Sequence, residues 1–182
     1  MNKLAIFFAD GYEEIEALTV VDICRRCGLE IDMVAVEEVD KVTGSHGICV
    51  EMDKTLSQVD FDSYDMLVLP GGMPGTKNLE ACEKLMEQVD AFNAQGKYIA
   101  AICAAPSIFG HRGLVDGRSA CCYPGFESHL TGANATENMV EISDHVITSR
   151  GMGTAIPFAL AIVSVFLGEE KAKEMGKSII YC

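Results

Sequence analysis

The sequence predicts an α/β fold in which helices cover both faces of a mostly parallel sheet. Strand-like and helix-like segments alternate along almost the whole chain, and 49% of its 182 residues are hydrophobic. The segment 66–69 reads Met-Leu-Val-Leu, a continuous apolar run typical of a strand buried on both faces. A chain of this length buries one substantial core, and nothing in it reads as an interdomain linker. We therefore expect a single domain over residues 1–182.

The first half of the chain supplies three main strands and one helix. Short apolar segments predict strands at 4–8, 30–36 and 65–69. Between the first two, residues 14–26 have the periodicity of an amphipathic helix, which ends at Gly28. Residues 44–53 predict an irregular turn followed by a short strand.

The second half begins with a long helix predicted at 78–95 and stopped by Gly96. A strand at 97–102 follows, and a helix is expected directly after Cys103. The region 113–145 is less regular, with a strand-like segment at 119–122 and a turn at 123–125. A hairpin is predicted around 139–142 and 145–148, and two further helices at 153–167 and 169–176.

In an open parallel sheet, ligands bind outside the carboxyl ends of the strands. That rule brings 10–16, 71–75 and Cys103 to one edge of the predicted sheet. Cys103 stands where the strand turns towards a helix, and a helix N-terminus favours a thiolate over a thiol. The small neighbours Ala101, Ala104 and Ala105 leave room for a sharp turn. The alternative interpretation is that Cys103 is simply a small buried hydrophobic residue, as free cysteines usually are.

Three glutamates follow the first strand, at positions 13, 14 and 16. Glu16 is flanked by apolar residues and is the one expected to point inward. A carboxyl group buried beside a thiolate should have a raised pKa, so that it can stay protonated and donate to sulfur. Glu13 and Glu14 are interpreted instead as acids that complement the dipole at the start of the helix.

Composition and charge exclude several classes of protein. The formal net charge is −13, from 14 basic and 27 acidic residues, a field that repels nucleic acid and anionic membranes. No apolar run reaches the length of about 20 residues that a bilayer span requires. The start of the chain does not read as a signal peptide, so a cytoplasmic location is expected. Neither a metal nor a cofactor is expected, and the eight scattered cysteines, including the Cys24 and Cys27 pair, are interpreted as reduced thiols.

Four segments together resemble the motifs of the ThiJ/PfpI superfamily: 8–16, 68–72, 100–106 and 148–154. More narrowly they are similar to the branch of the Parkinson-disease protein deglycase and its bacterial relatives, and the likeness runs from residue 3 to about 167. The resemblance implies a flavodoxin-like three-layer sandwich, a homodimer, and a nucleophilic Cys103 on a strained elbow. It also implies that Glu16 is hydrogen-bonded to that cysteine. The turn at Gly71 and Gly72 and the backbone N–H of Ala104 would form the oxyanion site.

Two positions depart from the pattern of the superfamily. Its protease-like branch has a histidine directly after the nucleophile, whereas this chain has Ala104, so peptidase activity is not expected. Where the deglycase branch often has a histidine before a proline, this chain has Tyr123. Tyr123 is interpreted either as a hydrogen-bonding group for substrate or as an aromatic lid. His46 occupies the position of a residue that reaches the partner's site across the dimer, with a surface histidine as the alternative.

The leading hypothesis is a cofactor-independent cysteine enzyme that acts on small α-oxoaldehydes, of glyoxalase or deglycase type. Thiolate Cys103 would attack the aldehyde and Glu16 would move the protons. The alternative is a stress protein that senses oxidation, or a chaperone, regulated through Cys103. Arg150 is expected to anchor the Gly-x-Gly-Thr turn that follows it, or the dimer, rather than to contact substrate.

Overall fold

The computed structural model describes residues 2–181. Its strands are β1 Lys3–Phe8, β2 Glu30–Ala35, β3 Lys41–Thr43, β4 Cys49–Glu51, β5 Lys54–Thr55, β6 Met66–Leu69, β7 Tyr98–Ile102, β8 Ser119–Ala120, β9 Asn134–Ala135, β10 Val140–Ser143 and β11 Val146–Ser149. Its α-helices are α1 Glu14–Arg26, α2 Gly75–Glu80, α3 Glu83–Gln95, α4 Pro106–His111, α5 Ala155–Leu167 and α6 Glu169–Ser178. Single turns of 3-10 helix lie at Leu56–Gln58, Phe61–Ser63, Glu127–His129 and Met152–Thr154.

Seven strands form one central sheet in the order β10-β11-β7-β6-β1-β2-β5. Every neighbouring pair is parallel except the β10–β11 hairpin at one edge. The carboxyl ends of β1, β6, β7 and β11 therefore meet along one side of the sheet. The predicted α/β class and mostly parallel sheet are confirmed.

Helices cover both faces of this sheet and form two apolar cores. One core joins alternate residues of the strands to α1, α5 and α6, and the other joins the opposite faces of the same strands to α3 and α4. In β6, Met66 and Val68 enter the first core, while Leu67 and Leu69 enter the second. All four are fully buried, which is why this strand reads as an unbroken apolar run.

The prediction of a single helix at 78–95 is wrong. Two helices, α2 and α3, occupy this segment, and Ala81 and Cys82 separate them. Leu79 and Leu85 are both fully buried. In one continuous helix, six residues of separation would place these side chains about 120° apart around the helix axis. The break allows both leucines to face the same core.

Smaller differences concern the short segments. The strand predicted at 119–122 ends at Ala120 in β8, and the strand in 44–53 is β4, which pairs with β3 outside the main sheet. The predicted helix after Cys103 begins only at Pro106. Within residues 2–181, no helix combines the length and apolar character needed to cross a membrane. None of the seven cysteines within residues 2–181 forms a disulfide, and Cys182 lies outside the described residues.

Candidate active site

Cys103 follows the last residue of β7 in a backbone conformation that non-glycine residues seldom adopt, with φ of 67°. Its N–H donates to the carbonyl of Ser149 on β11 at 3.0 Å, and its carbonyl accepts from Tyr123 N–H at 2.8 Å. The left-handed conformation costs about 1–2 kcal/mol for a residue with a side chain. Because segments on both sides hold its backbone, Cys103 forms the strained elbow that the resemblance implies.

Glu16 lies in the first turns of α1 with only 1% of its surface exposed. The Glu13 side chain caps this helix by accepting from Glu16 N–H at 2.7 Å, which fixes the start of α1. The Glu16 Oε2 atom accepts from Gly71 N–H at 3.0 Å, and the carboxyl group hydrogen-bonds the Cys103 side chain. Burial raises the pKa of Glu16 to about 7, against the lowering effect of its bonds to Cys103 and Gly71. Glu16 therefore has the inward direction and the raised pKa that the sequence predicts.

The turn after β6 contains Gly71 and Gly72, and a side chain is excluded at each of them for a different reason. A Cβ at Gly71 would stand 2.6 Å from both Cys103 Cβ and Glu16 Oε2, in the space that these groups share. Gly72 has φ of 94°, and its α-carbon faces the backbone of residues 11–13. The turn thus brings its own backbone directly against the Cys103 side chain.

The backbone N–H groups of Gly72 and Ala104 both donate to Cys103, and both act to lower its pKa. Burial, the charge of Glu16 and its hydrogen bond outweigh them and raise the pKa of Cys103 to about 12. The prediction of a thiolate stabilised by a helix N-terminus is therefore wrong. The physical reason is that α4 begins three residues later, while the sulfur is desolvated beside a carboxylate.

Sulfur and carboxyl oxygen compete for the same proton in this arrangement. When one proton remains on the pair, the higher pKa of Cys103 keeps it on sulfur, facing the Glu16 carboxylate, and the two groups titrate as one unit. Two N–H donors point at the place where negative charge appears when the proton moves to Glu16. The geometry is suited to a thiol that is activated by a neighbouring carboxylate at the moment of attack.

Tyr123 and Gly151 form the outer wall of the site. Half of Tyr123 is exposed, and its ring approaches Gly151, where a Cβ would lie 3.3 Å from Tyr123 Cδ2 and 3.9 Å from Glu16 Oε1. This placement of Tyr123 suits both the lid and the hydrogen-bonding interpretation. Gly151 was not predicted from the sequence as part of the site, although its position after β11 at the carboxyl edge of the sheet was a signal for it.

Glu14 is buried, contrary to its interpretation as a simple partner of the helix dipole. Its carboxylate accepts from His46 N–H at 2.8 Å and lies 3.0 Å from His46 Nδ1. Burial acts to raise the pKa of Glu14, but hydrogen bonds from His46 and from the backbone of Glu14 and Ile48 outweigh it and lower the pKa to about 2. The His46 side chain is otherwise exposed, at the tip of the loop between β3 and β4.

The remaining histidines have partners away from the sulfur. His111 bridges Glu80 Oε1 at 2.6 Å and His129 Nδ1 at 2.9 Å. His145 lies 2.9 Å from Asn93 Oδ1.

The described residues contain one group of side chains spaced to hold a metal ion, formed by Glu13, Glu14 and His46. The hydrogen-bonding groups of these residues already have partners, because Glu14 bonds His46 and Glu13 accepts from an N–H at the start of α1. Cys24 and Cys27 are not among the metal-spaced residues of the described chain, and burial raises the pKa of both thiols.

Comparison with known proteins relates this chain to a family. The family model described as the DJ-1/PfpI family matches residues 2–165. The chain is 38% identical over 181 residues to protein DJ-1 homolog B of Arabidopsis thaliana, covering 98% of this chain but only 41% of that relative. It is 34% identical over 179 residues to the glutathione-independent glyoxalase DJR-1.2 of Caenorhabditis elegans, covering 98% of this chain and 95% of the relative.

Solved structures give the same result for the fold. The structure described as Toxoplasma gondii DJ-1, oxidized, superposes with a TM-score of 0.95 at 36% identity and covers 100% of both chains. A flavodoxin-like sandwich with a cysteine on its elbow is therefore the fold of this protein. Because the family model matches most of this chain, the chain belongs to the DJ-1/PfpI family.

Proposed function

We propose that this protein is a cofactor-independent cysteine enzyme that converts small α-oxoaldehydes, methylglyoxal among them, into 2-hydroxy acids. The observation that supports it is the surroundings of Cys103, with a carboxyl group of raised pKa on one side and two backbone N–H donors on the other. A nucleophile, a proton carrier and an oxyanion site are all that this reaction requires. The relative in Caenorhabditis elegans that is named a glyoxalase adds support.

In the first step Cys103 sulfur attacks the aldehyde carbon and a carbon–sulfur bond forms. The thiol proton passes to Glu16, which acts as general base. The aldehyde oxygen gains the charge and then takes the same proton from Glu16, giving a hemithioacetal and leaving Glu16 as a carboxylate. The N–H groups of Gly72 and Ala104 stabilise the charge as it passes from sulfur to oxygen.

In the second step Glu16 removes the proton from the former aldehyde carbon and returns it to the neighbouring carbonyl carbon, while the hydroxyl proton of the hemithioacetal passes to the former ketone oxygen. The product of this internal transfer is a thioester of the 2-hydroxy acid. Water then cleaves the thioester and restores the Cys103 thiol. The sum is one α-oxoaldehyde plus one water giving one 2-hydroxy acid, with no external oxidant or reductant. On an aldehyde already joined to an amine or a thiol, Cys103 would displace that group, which leaves with a proton from Glu16, and the same second step then amounts to deglycation.

Lactate production from methylglyoxal tests the proposal. We expect turnover by the wild type, none by Cys103→Ala, and a loss of about 10² to 10⁴-fold in Glu16→Gln, the usual contribution of a general base. His145→Gln is the matched control, because it changes a titratable group bound to Asn93, away from the site. Equal rates in the wild type and both site variants would contradict the proposal.

A second candidate function is the sensing of oxidation through Cys103. The similar Toxoplasma gondii protein is described as oxidised, and the N–H donors around Cys103 are suited to the oxygens of a sulfinate. Two molecules of peroxide would supply the two oxygens and leave two molecules of water. Mass spectrometry after peroxide treatment separates the candidates: selective addition of two oxygens at Cys103 without aldehyde turnover favours the sensor. Oxidation spread over all cysteines counts against it.

A further inference from the structure

Arg150 differs from the other four arginines of this chain in its lack of an ion pair within the described residues. Arg25, Arg26, Arg112 and Arg118 each form an ion pair with an aspartate. Within residues 2–181, Arg150 has no carboxylate within ion-pair distance, although the chain contains 27 acidic residues. Its Nη1 donates only to the carbonyl of Glu137 at 3.3 Å, and its buried Nε has no partner in the described chain. A buried donor without a partner calls for an explanation, and a missing ligand is one.

The turn that begins at Arg150 does not need the guanidinium group. Thr154 Oγ1 accepts from the backbone N–H of Arg150 at 3.2 Å and from that of Gly151 at 3.0 Å. A side-chain hydroxyl therefore holds the turn through backbone contacts. Anchoring of the turn, the role expected from the sequence, leaves the charge of Arg150 unexplained.

The side chain of Arg150 lines a pocket of about 330 Å³ together with Tyr123, Gly151 and Met152. This pocket adjoins the reacting groups, because Gly151 leaves open the space between the Tyr123 ring and Glu16. Tyr123 N–H also bonds the carbonyl of Cys103 at 2.8 Å. A substrate held by the sulfur and lying across Gly151 would enter the pocket that Arg150 lines.

We propose that Arg150 is a specificity residue that binds a carboxylate on the substrate, so that anionic α-oxoaldehydes are preferred over neutral ones. A guanidinium group is the side chain best matched to a carboxylate. A suitable probe is 4,5-dioxopentanoate, whose carboxylate is separated from the α-oxoaldehyde group by two methylene groups. Addition of one water gives 2-hydroxyglutarate by the steps already described. This inference rests on the proposed function for its reaction but not for the binding of the anion.

Turnover of matched substrates provides the first test. We expect the wild type to have a kcat/KM for 4,5-dioxopentanoate about ten-fold or more above that for its methyl ester, the typical gain from a charge-assisted hydrogen bond. Arg150→Met should remove this preference mainly through KM, while the rate with methylglyoxal stays within about two-fold. Arg150→Lys should keep part of the preference. Lys173→Met, which removes one exposed positive charge on α6, should leave the preference unchanged. Absence of a preference in the wild type, or an equal loss for acid and ester in Arg150→Met, would overturn the proposal.

Alkylation of Cys103 tests the same inference without turnover. The reagents are 4-bromocrotonate and its methyl ester, each rate being divided by its rate with N-acetylcysteine. We expect the normalised acid-to-ester ratio to fall about ten-fold in Arg150→Met and to be unchanged in Lys173→Met. The ester rate reports whether the variant keeps its folded site. An acid-to-ester ratio that Arg150→Met does not alter overturns the anion site. Loss of aldehyde turnover with the ratio intact contradicts only the proposed function.

Discussion

At the scale of single residues, the site depends on the competition of Cys103 and Glu16 for one proton. Burial raises the pKa of both groups, so neither ionises easily in the presence of the other's charge. Backbone N–H groups of Gly72 and Ala104 favour the form with its charge on sulfur. This balance gives a thiol that is inert alone and reactive when its neighbour accepts the proton.

The raised pKa of Glu16 also predicts how stability depends on pH. The unfolded group has a pKa of 4.5 and the folded group about 7, so the folded protein binds the extra proton between these values. Its contribution is complete below about pH 4.5 and is lost as pH rises through about 7, a change of roughly 3 kcal/mol in the free energy of unfolding.

Urea unfolding at several pH values, compared between the wild type and Glu16→Gln, measures this contribution. Groups common to both proteins cancel in the difference. We expect the difference in unfolding free energy to shift in favour of the variant as pH rises from 4.5 to 8. A difference that stays constant across that range would mean that Glu16 titrates as an ordinary surface carboxylate.

At the scale of elements, three neighbouring strand ends build the site. β7 supplies the elbow, β6 supplies the glycine turn, and β11 holds the elbow backbone through Ser149. Glu16 arrives from α1, across the sheet edge. The site is therefore sensitive to changes that move one element against another.

Gly71→Ala is the sharpest change at this scale. The new Cβ would lie 2.6 Å from Cys103 Cβ and from Glu16 Oε2, so the acid must move away from the sulfur. We expect a loss of about 1–3 kcal/mol in stability, as for overpacked cores, and at least about 10²-fold in methylglyoxal turnover. Gly153→Ala is the matched control, since a Cβ there meets nothing within 4 Å. Retention of activity in Gly71→Ala would show that the close approach has no catalytic role.

Much of the fold could be predicted from local patterns, because parallel strands buried on both faces produce continuous apolar segments. The division between α2 and α3 could not, since both halves have helical periodicity and only the shared core separates them. At the site, the motifs indicated Cys103 and Glu16. The direction of the Cys103 pKa shift was missed because it depends on desolvation and on the distance of α4, which periodicity does not reveal. The ion pair of Glu14 with His46 joins residues 32 positions apart and has no local signal.

At the scale of the whole molecule, we propose an apolar cleft on the face of α1 as the surface of a homodimer. Its volume is about 660 Å³, and Ile15, Ile48, Ile156 and Ile179 contribute to its lining. Contiguous exposed apolar surface in a protein of this size is typical of an interaction surface. The loop that carries Ile48 also carries His46, so a dimer formed here would place both at the interface.

Sedimentation of Ile15→Lys tests this dimer. Ile15 is 49% exposed, and Ile142 on β10, 47% exposed, provides a control of matched size and exposure on another face. We expect the wild type and Ile142→Lys to sediment as dimers and Ile15→Lys as a monomer. A monomeric wild type, or a dimer unaffected by Ile15→Lys, would contradict this assignment.

The measurement that tests the central claim most directly is the pH dependence of Cys103 alkylation by iodoacetamide in the wild type and in Glu16→Gln. If the two groups share one proton, the wild-type rate rises through an apparent pKa of about 7, the pKa of the Glu16 carboxyl. Glu16→Gln should lose that step and react only at higher pH. A wild-type profile with a single pKa near about 8.5, unchanged in Glu16→Gln, would describe an ordinary thiol and contradict the account.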